Sequence, residues 1–362
     1  MARSAGDEEL SALLDQFVCV RIVQGYGLDL NLFRFDFDMS MAMVFLNADG
    51  TVYGRYGTRD DANDAVRQMS VEAFKKAVGA ALKLHADLKK QRKGLEGKRG
   101  QERQFKTPES LRVVGQEYPA PANNKFGNCM HCHHIREGEV TTAWDGRKPL
   151  QDKDLWPFPM PDLLGFTLDP REMATVTAVS EASSAGRAGL LPGDRILRLE
   201  GQPIVSIADV QWVLHHEADP GKLKAEVDRG GETKTLTLSL PKGWRRAASF
   251  EWRSSSQKIF FNILGFRCRP LDDSERKTLG LAPGVLALKV EKFPPNWMNS
   301  ANKAAQGPLK VGDVIVSANG KKEDWSEAEL LVQVSTLKKT GEKLPLTVLR
   351  GGKPVQVQLP LF

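Results

Sequence analysis

The segments GLLPGDRILRLEGQPI (189–204) and GPLKVGDVIVSANGKK (307–322) decide the architecture of this 362-residue chain. In each, a Gly-Asp pair precedes an apolar run of strand character. Two further pairs keep the same order around them. Leu163-Leu164-Gly165-Phe166 returns as Ile263-Leu264-Gly265-Phe266, and LKAEVDRGGETKTLTLSLP (223–241) returns as LPLTVLRGGKPVQVQLPLF (344–362). Repetition in fixed order means two copies of one structural unit. The last pair predicts a hairpin, because two alternating runs flank Gly-Gly, which suits a tip that needs positive φ. Helices are expected at Ile207–His216 and Ser326–Leu337.

Each copy resembles the PDZ domain, over residues 160–243 and 258–362. The early Gly-Asp strand and late Gly-Gly hairpin are similar to the type found in bacterial high-temperature-requirement proteases. The resemblance implies that a partner's C-terminus adds as a strand at a sheet edge, with its carboxylate on backbone N–H groups of the apolar-Gly-Phe loop. The matching residues are Leu164, Gly165 and Phe166, and Leu264, Gly265 and Phe266. Ile207 or Ala208, at the helix start, would suit an apolar partner. The second copy carries an insertion, KFPPNWMNSANKAAQ (292–306), that would cover or extend its groove, and Cys268 is expected to be a buried free thiol.

Residues 8–88 read as an α/β unit. Phe17–Val23 and Ala42–Leu46 are strand-like, Asn47-Ala48-Asp49-Gly50 is a turn, and Thr51–Tyr56 returns. A helix then begins behind the N-cap Ser70, with Phe74, Val78, Ala81 and Leu82 on one face. The line MAMVFLNADGTVYGRYG resembles the back half of a thioredoxin fold. Met41 stands where that family keeps its cis-proline, and Cys19 stands alone where it keeps a dithiol. The unit is therefore expected to be incomplete and no oxidoreductase by itself. Asp36-Phe37-Asp38 offers a short acidic pair for a cation.

Residues 89–159 are expected to form a basic linker followed by a loop-rich segment. The run KKQRKGLEGKRGQERQFK (89–106) reads as a solvated linker or the frayed end of a helix rather than a nucleic-acid site, since no aromatic precedes Phe105 to stack on a base. Downstream, FGNCMHCHHIRE (126–137) holds half of the four cysteines and half of the six histidines. Cys129-x-x-Cys132-His133 is the signature of c-type haem attachment: two thiols for the vinyl groups, and His133 beneath the iron. Met160 is the candidate sixth ligand, since His134 is too close to its neighbour to reach the opposite face. A zinc or copper site using His131, His133 and His134 with the cysteines is an alternative, although C-x-x-C supplies only half of a structural zinc site and His215-His216 is no obvious completion. A redox dithiol of Cys129 and Cys132 is another.

The chain as a whole resembles a bacterial family of thioredoxin-like/PDZ (seleno)proteins, through FVCVRIVQGYGLDLNLFRFDFD, DLWPFPMPDLLGFTLDP and SIADVQWVLHH. The expected fold class is multidomain α+β: a partial thioredoxin-like unit, a CxxCH linker and two bacterial-type PDZ domains. Net charge is +6, with 41% hydrophobic and 27% charged residues, as in globular chains. No run approaches eighteen apolar residues, and the start lacks a signal peptide's apolar core, so the chain is cytoplasmic if that start is native. Covalent haem and paired PDZ domains point instead to the cell envelope or periplasm. No Gly-x-Ser-x-Gly or triad scaffold is found. The leading expectation is a non-enzymatic binder of protein or peptide C-termini, with no nucleic-acid partner, carrying a haem or redox site. The alternatives are a thiol-disulfide or electron-transfer protein whose PDZ domains dock clients, and a scaffold with a structural metal.

Overall fold

The computed structural model describes residues 7–60, 69–117, 130–146, 149–295, 307–337 and 342–361. The chain divides into two compact units: Met1–Ile135 with Trp156–Trp252, and Arg136–Leu155 with Arg253–Phe362.

The first unit opens with α1 (Glu8–Leu14), capped by Asp7, whose side chain accepts the Leu10 N–H. The next stretch departs from expectation. Phe17–Val23 forms no strand, and Val18 is 93% exposed and Val20 79% exposed. β-branched residues favour a pleated surface but cannot supply a partner strand, and no described strand pairs with this run. The hairpin does form, from β1 (Met43–Leu46) and β2 (Val52–Tyr56), with Asn47 N–H donating to Thr51 O at 2.9 Å. The helix α2 (Val71–Ala86) starts as expected, its Ser70 hydroxyl accepting the Ala73 N–H at 3.0 Å. Ala73, Phe74, Ala77, Val78 and Ala81 bury one face against Phe45, Tyr53 and Tyr56.

The basic run is a helix end that stays mostly exposed, with Leu95 and Lys98 as its buried residues. Leu88–Leu95 is α3, Glu96–Lys98 is a 3-10 turn, and Lys98 is 1% exposed. The short α4 (Arg112–Glu117) and the longer α5 (Cys132–Asp145) follow, so the CxxCH segment enters a helix where a loop is expected. The division between the two units falls within α5. Next in the chain is α6 (Asp152–Leu155).

The rest of the first unit holds β3 (Phe166–Leu168) paired with β4 (Val176–Val179), then α7 (Ser184–Arg187). A four-stranded antiparallel sheet runs β6-β5-β7-β8, from β5 (Arg195–Leu199), β6 (Gln202–Pro203), β7 (Gly221–Arg229) and β8 (Glu232–Leu240). The helix α8 (Ile207–His216) closes the core, with Ile207, Val210, Val213 and Leu214 packed among Phe166, Leu168, Val227 and Leu238.

In the second unit α9 (Ser256–Ile263) precedes β9 (Arg267–Pro270), then α10 (Asp273–Thr278), β10 (Leu288–Lys292), β11 (Val314–Ala318), α11 (Glu327–Leu337), β12 (Lys343–Arg350) and β13 (Lys353–Pro360). The five strands form one antiparallel sheet, β13-β12-β11-β10-β9. The Leu150 N–H donates to Ser335 Oγ at 3.1 Å, fastening the 149–155 segment to α11.

The repeated Gly-Asp and Arg-Gly-Gly elements have a common physical explanation. At each hairpin tip two glycines take positive φ, +61° and +89° at Gly230-Gly231, +57° and +77° at Gly351-Gly352, as a two-residue primed turn requires. The arginine just before each tip reaches back to the aspartate of the Gly-Asp turn. Arg229 Nε and Nη2 each lie 2.7 Å from the Asp194 carboxylate, and Arg350 Nε and Nη2 lie 2.8 and 2.7 Å from Asp313. Each aspartate also accepts a turn N–H, from Leu191 or Lys310. Burial pushes the Asp194 carboxyl up, but the Arg229 hydrogen bonds and the Leu191 N–H outweigh it and leave it below its usual range.

Candidate functional site

The apolar-Gly-Phe loops stand at the start of an edge strand in both units. In the first, a 3-10 turn over Pro161–Leu164 ends at Gly165, whose φ of +84° is left-handed. A Cβ there would lie 2.0 Å from the Ser183 Cβ, so both conformation and space require glycine. The Gly165 N–H closes the turn on Asp162 O at 2.8 Å, and its carbonyl accepts from Ser180 N–H. Phe166–Leu168 then runs on as β3, whose inner edge pairs with β4. Among the described strands none pairs with its outer edge. That is the geometry a strand-adding peptide needs.

The helix α8 has a second set of neighbours. Its N-cap Ser206 donates its hydroxyl to Arg55 O, and Asp209 accepts the Arg55 N–H at 3.2 Å, so the start of α8 satisfies the outer edge of β2. Asp209 also takes Lys98 Nζ at 2.6 Å and Val205 N–H at 3.0 Å. Trp212 Nε1 donates to Gly97 O at 3.0 Å beneath the Arg55 guanidinium, 3.7 Å from the ring centroid. Burial pushes the Lys98 ammonium down to about 8, against the pull of Asp209. Gln211 donates to Phe158 O at 2.9 Å and His215 Nδ1 accepts Phe158 N–H at 3.3 Å. Ile207 belongs to the apolar core, whereas Ala208 lines a small cavity with Met39, Met43, Tyr56 and Gln211. Of the two helix-start residues, only Ile207 lies with the β3 side chains.

In the second unit the loop is built differently. The Leu264 and Gly265 N–H groups both donate to Phe260 O, at 2.8 and 3.3 Å, as the C-terminal cap of α9. Gly265 again has positive φ, and Phe266 is fully buried. Cys268, on the edge strand β9, is a buried free thiol, and burial raises its pKa well above the usual value. At the helix start, where the first copy has Ile207 after Ser206, the second has Glu327 after Ser326. Part of the 292–306 insertion, residues 296–306, lies outside the described residues.

Of the CxxCH residues, Cys129 also lies outside them. Cys132 is half-buried at the start of α5 and packs on Leu28, Phe37, Met130 and Ile135, and burial raises its thiol pKa. The imidazoles crowd together. His131 and His133 stack at 5.7 Å, His133 and His134 meet edge-to-face at 4.2 Å, and His131 N–H donates to His134 Nδ1. One ligand atom each from His133, His134 and Glu137, within consecutive turns of α5, lie within 4.8 Å of one another. Two imidazoles and a carboxylate are donors for a divalent transition metal. Met160 packs against the apolar core beneath α8, where it accepts from the Thr58 hydroxyl at 3.7 Å, in a different cluster from Cys132. His215 and His216 lie on α8, and Asp36 and Asp38 are buried, with Asp38 N–H on Asp36 Oδ1.

A sequence model of the PDZ domain matches residues 162–240 and 263–361, and the chain contains two PDZ domains in a mixed α+β structure. Its curated relatives include proteins described as probable periplasmic serine endoprotease DegP-like. The one from Pseudomonas putida (strain GB-1) is 30% identical over 222 residues, 60% of this chain and 42% of that protein. That of Hahella chejuensis (strain KCTC 2396) is 27% identical over 54% of this chain and 40% of its own length. The chain thus spans about two fifths of these relatives. Similar solved structures include the HtrA3 PDZ domain bound to a phage-derived ligand (FGRWV), 29% identical over 18% of this chain and 60% of that one, with TM-score 0.17. The HtrA-type protease AlgWS227A with decapeptide is 20% identical over 38% of this chain and 40% of that one, with TM-score 0.23. No described helix is long and apolar enough to cross a membrane.

Proposed function

We propose that the chain is a non-proteolytic binder of protein C-termini in the bacterial envelope, and that the first PDZ domain takes the peptide as an added strand on β3. The observation that carries this is the outer edge of β3, unpaired among the described strands, directly after the left-handed Gly165 turn and beside α8. The DegP-like relatives, described as periplasmic, support the compartment. In this reading the β1-β2 hairpin and α2, which resemble the back of a thioredoxin fold, brace α8. They do no redox chemistry, since Cys19 is exposed and has no dithiol partner in its own sequence neighbourhood. The test is fluorescence anisotropy on the full chain with labelled FGRWV, the ligand of the HtrA3 domain, as free acid and as C-terminal amide. Saturable binding of the acid, weakened at least about tenfold by amidation, is expected. Equal binding of both forms, or none, refutes the reading.

A second reading concerns α5. The approach of His133, His134 and Glu137 favours a bound divalent metal over a covalent haem for the CxxCH segment. Lys258, with Nζ 3.6 Å from the Glu137 carboxylate, would compete with such an ion. Elemental analysis of purified protein decides between them: stoichiometric zinc, lost in His133→Ala, supports the metal. Iron with a visible haem band that survives denaturation supports haem instead.

A further inference from the structure

The two PDZ domains differ at the places where a peptide would dock, and the difference is a built contact. In the β9-β10 register Arg269 pairs with Lys289, so the flanking Cys268 presents its N–H on the outer edge of β9. That N–H is taken by the chain itself. Glu327, the first residue of α11, spans from helix to strand and accepts it on Oε1 at 2.6 Å. The same carboxylate is clamped by Arg267, with Nε 3.0 and 2.9 Å from its two oxygens and Nη2 2.9 Å from Oε2. Arg267 lies in turn 4.6 Å from the Phe260 ring centroid. Glu327 is 2% exposed, so the contact is internal. The apolar-Gly-Phe loop makes no such difference, since the Gly165 and Gly265 N–H groups are both turned onto their own chain, on Asp162 O and Phe260 O. In the first domain the corresponding residues are Thr167, Leu168 and Ile207, none of which carries a charge.

We propose that Glu327 is an internal ligand that closes the second PDZ groove: its carboxylate holds the strand-edge donor that an added peptide would use. Displacing it would strip a buried carboxylate of a charge-assisted hydrogen bond and a bidentate arginine at once. The tandem is therefore asymmetric, with one domain open to a C-terminus and the other closed. The stoichiometry part of this inference rests on the peptide-binding reading of the first domain; the closure itself does not.

Two measurements on the full chain separate them. The first is hydrogen exchange of the Cys268 amide without peptide. Glu327→Ala is expected to accelerate it about tenfold or more, since the lost bond is to a charged acceptor. Glu327→Gln, which keeps size and an acceptor, gives a smaller increase and guards against loss of folding. Unchanged exchange in Glu327→Ala overturns the closure whatever the peptide does. The second is calorimetric titration with a free-acid peptide, Ala-Ala-Val-Phe-Val. One site in the parent chain and two in Glu327→Ile, the first domain's residue, support the proposal. Two sites in the parent, or one in both chains, overturn it. No binding by either chain, with exchange accelerated in Glu327→Ala, leaves the closure supported and refutes the peptide-binding reading of the first domain.

Discussion

Replacing Asp209 with alanine removes the acceptor that joins the hairpin, the 3-10 turn and α8. Asp209 and Lys98 are each 1% exposed, and their 2.6 Å contact has no solvent to replace it. The substitution leaves the Lys98 ammonium buried without its carboxylate and withdraws the acceptor from Arg55 N–H and Val205 N–H. Breaking a buried pair from one side costs about 3–5 kcal/mol, far more than the net worth of the pair. Urea denaturation followed by tryptophan fluorescence reports the loss, because Trp212 sits in this cluster. The double replacement Asp209→Leu with Lys98→Met supplies the control. Removing both charges together relieves the unpaired ammonium but not the orphaned Arg55 and Val205 N–H groups, so the double variant is expected to recover about 1–2 kcal/mol of the loss and no more. Asp209→Ala costing less than about 1 kcal/mol, or a double variant no better than the single, would refute the view that this pair fastens the hairpin to the PDZ helix.

Lys98 also predicts a pH dependence. Its folded pKa of about 8 lies below that of an unfolded lysine, about 10.5, so between these values the unfolded chain holds more protons. Its contribution therefore raises stability by roughly 2–3 kcal/mol as pH climbs from about 8 to 10.5, and Lys98→Met should abolish that rise in urea midpoints. Arg350→Ala and Arg229→Ala should each cost about 1–2 kcal/mol in thermal melts, a value discounted because each arginine is about one-third exposed. Gly165→Ala should lower stability by about 2 kcal/mol or more through its φ and its clash with Ser183, and should weaken FGRWV binding. Under a limiting maleimide, peptide mapping should find exposed Cys19 alkylated first and buried Cys268 last.

The parts of the fold legible in the sequence are those whose causes are local. Gly230-Gly231 and Gly351-Gly352 announce their tips, Ser70 its helix start, and the Leu-Gly-Phe repeats their turns. The failures share one cause, partners distant in the chain. Val18, Val20 and Ile22 have the residue type of a strand, but a strand needs a partner elsewhere in the chain, and none of the described strands pairs with them. Lys98 looks like one more solvated base until Asp209, 111 residues away, takes it inside. The closing role of Glu327 was readable only in part. Aligning the two copies sets it against Ile207, but nothing in the sequence says that its carboxylate reaches the Cys268 N–H. The crowding of His131, His133 and His134 follows from their adjacency, whereas the entry of Glu137 depends on the turn of α5, which the Gly- and Asn-rich residues before it do not announce.

The seating of β2 against the start of α8 has a consequence for how this protein can be divided. A strand edge with free N–H and C=O groups is a template for recruiting another chain. Here the Ser206 hydroxyl and the Asp209 carboxylate act as blunt end-stops, finishing the edge with side chains instead of a further strand. Excising the first PDZ domain at its sequence-defined limits would uncover two liabilities at once, a sticky edge on one fragment and a buried acid without its base on the other. Aggregation on truncation would then be a property of the cut and not of either fragment's sequence.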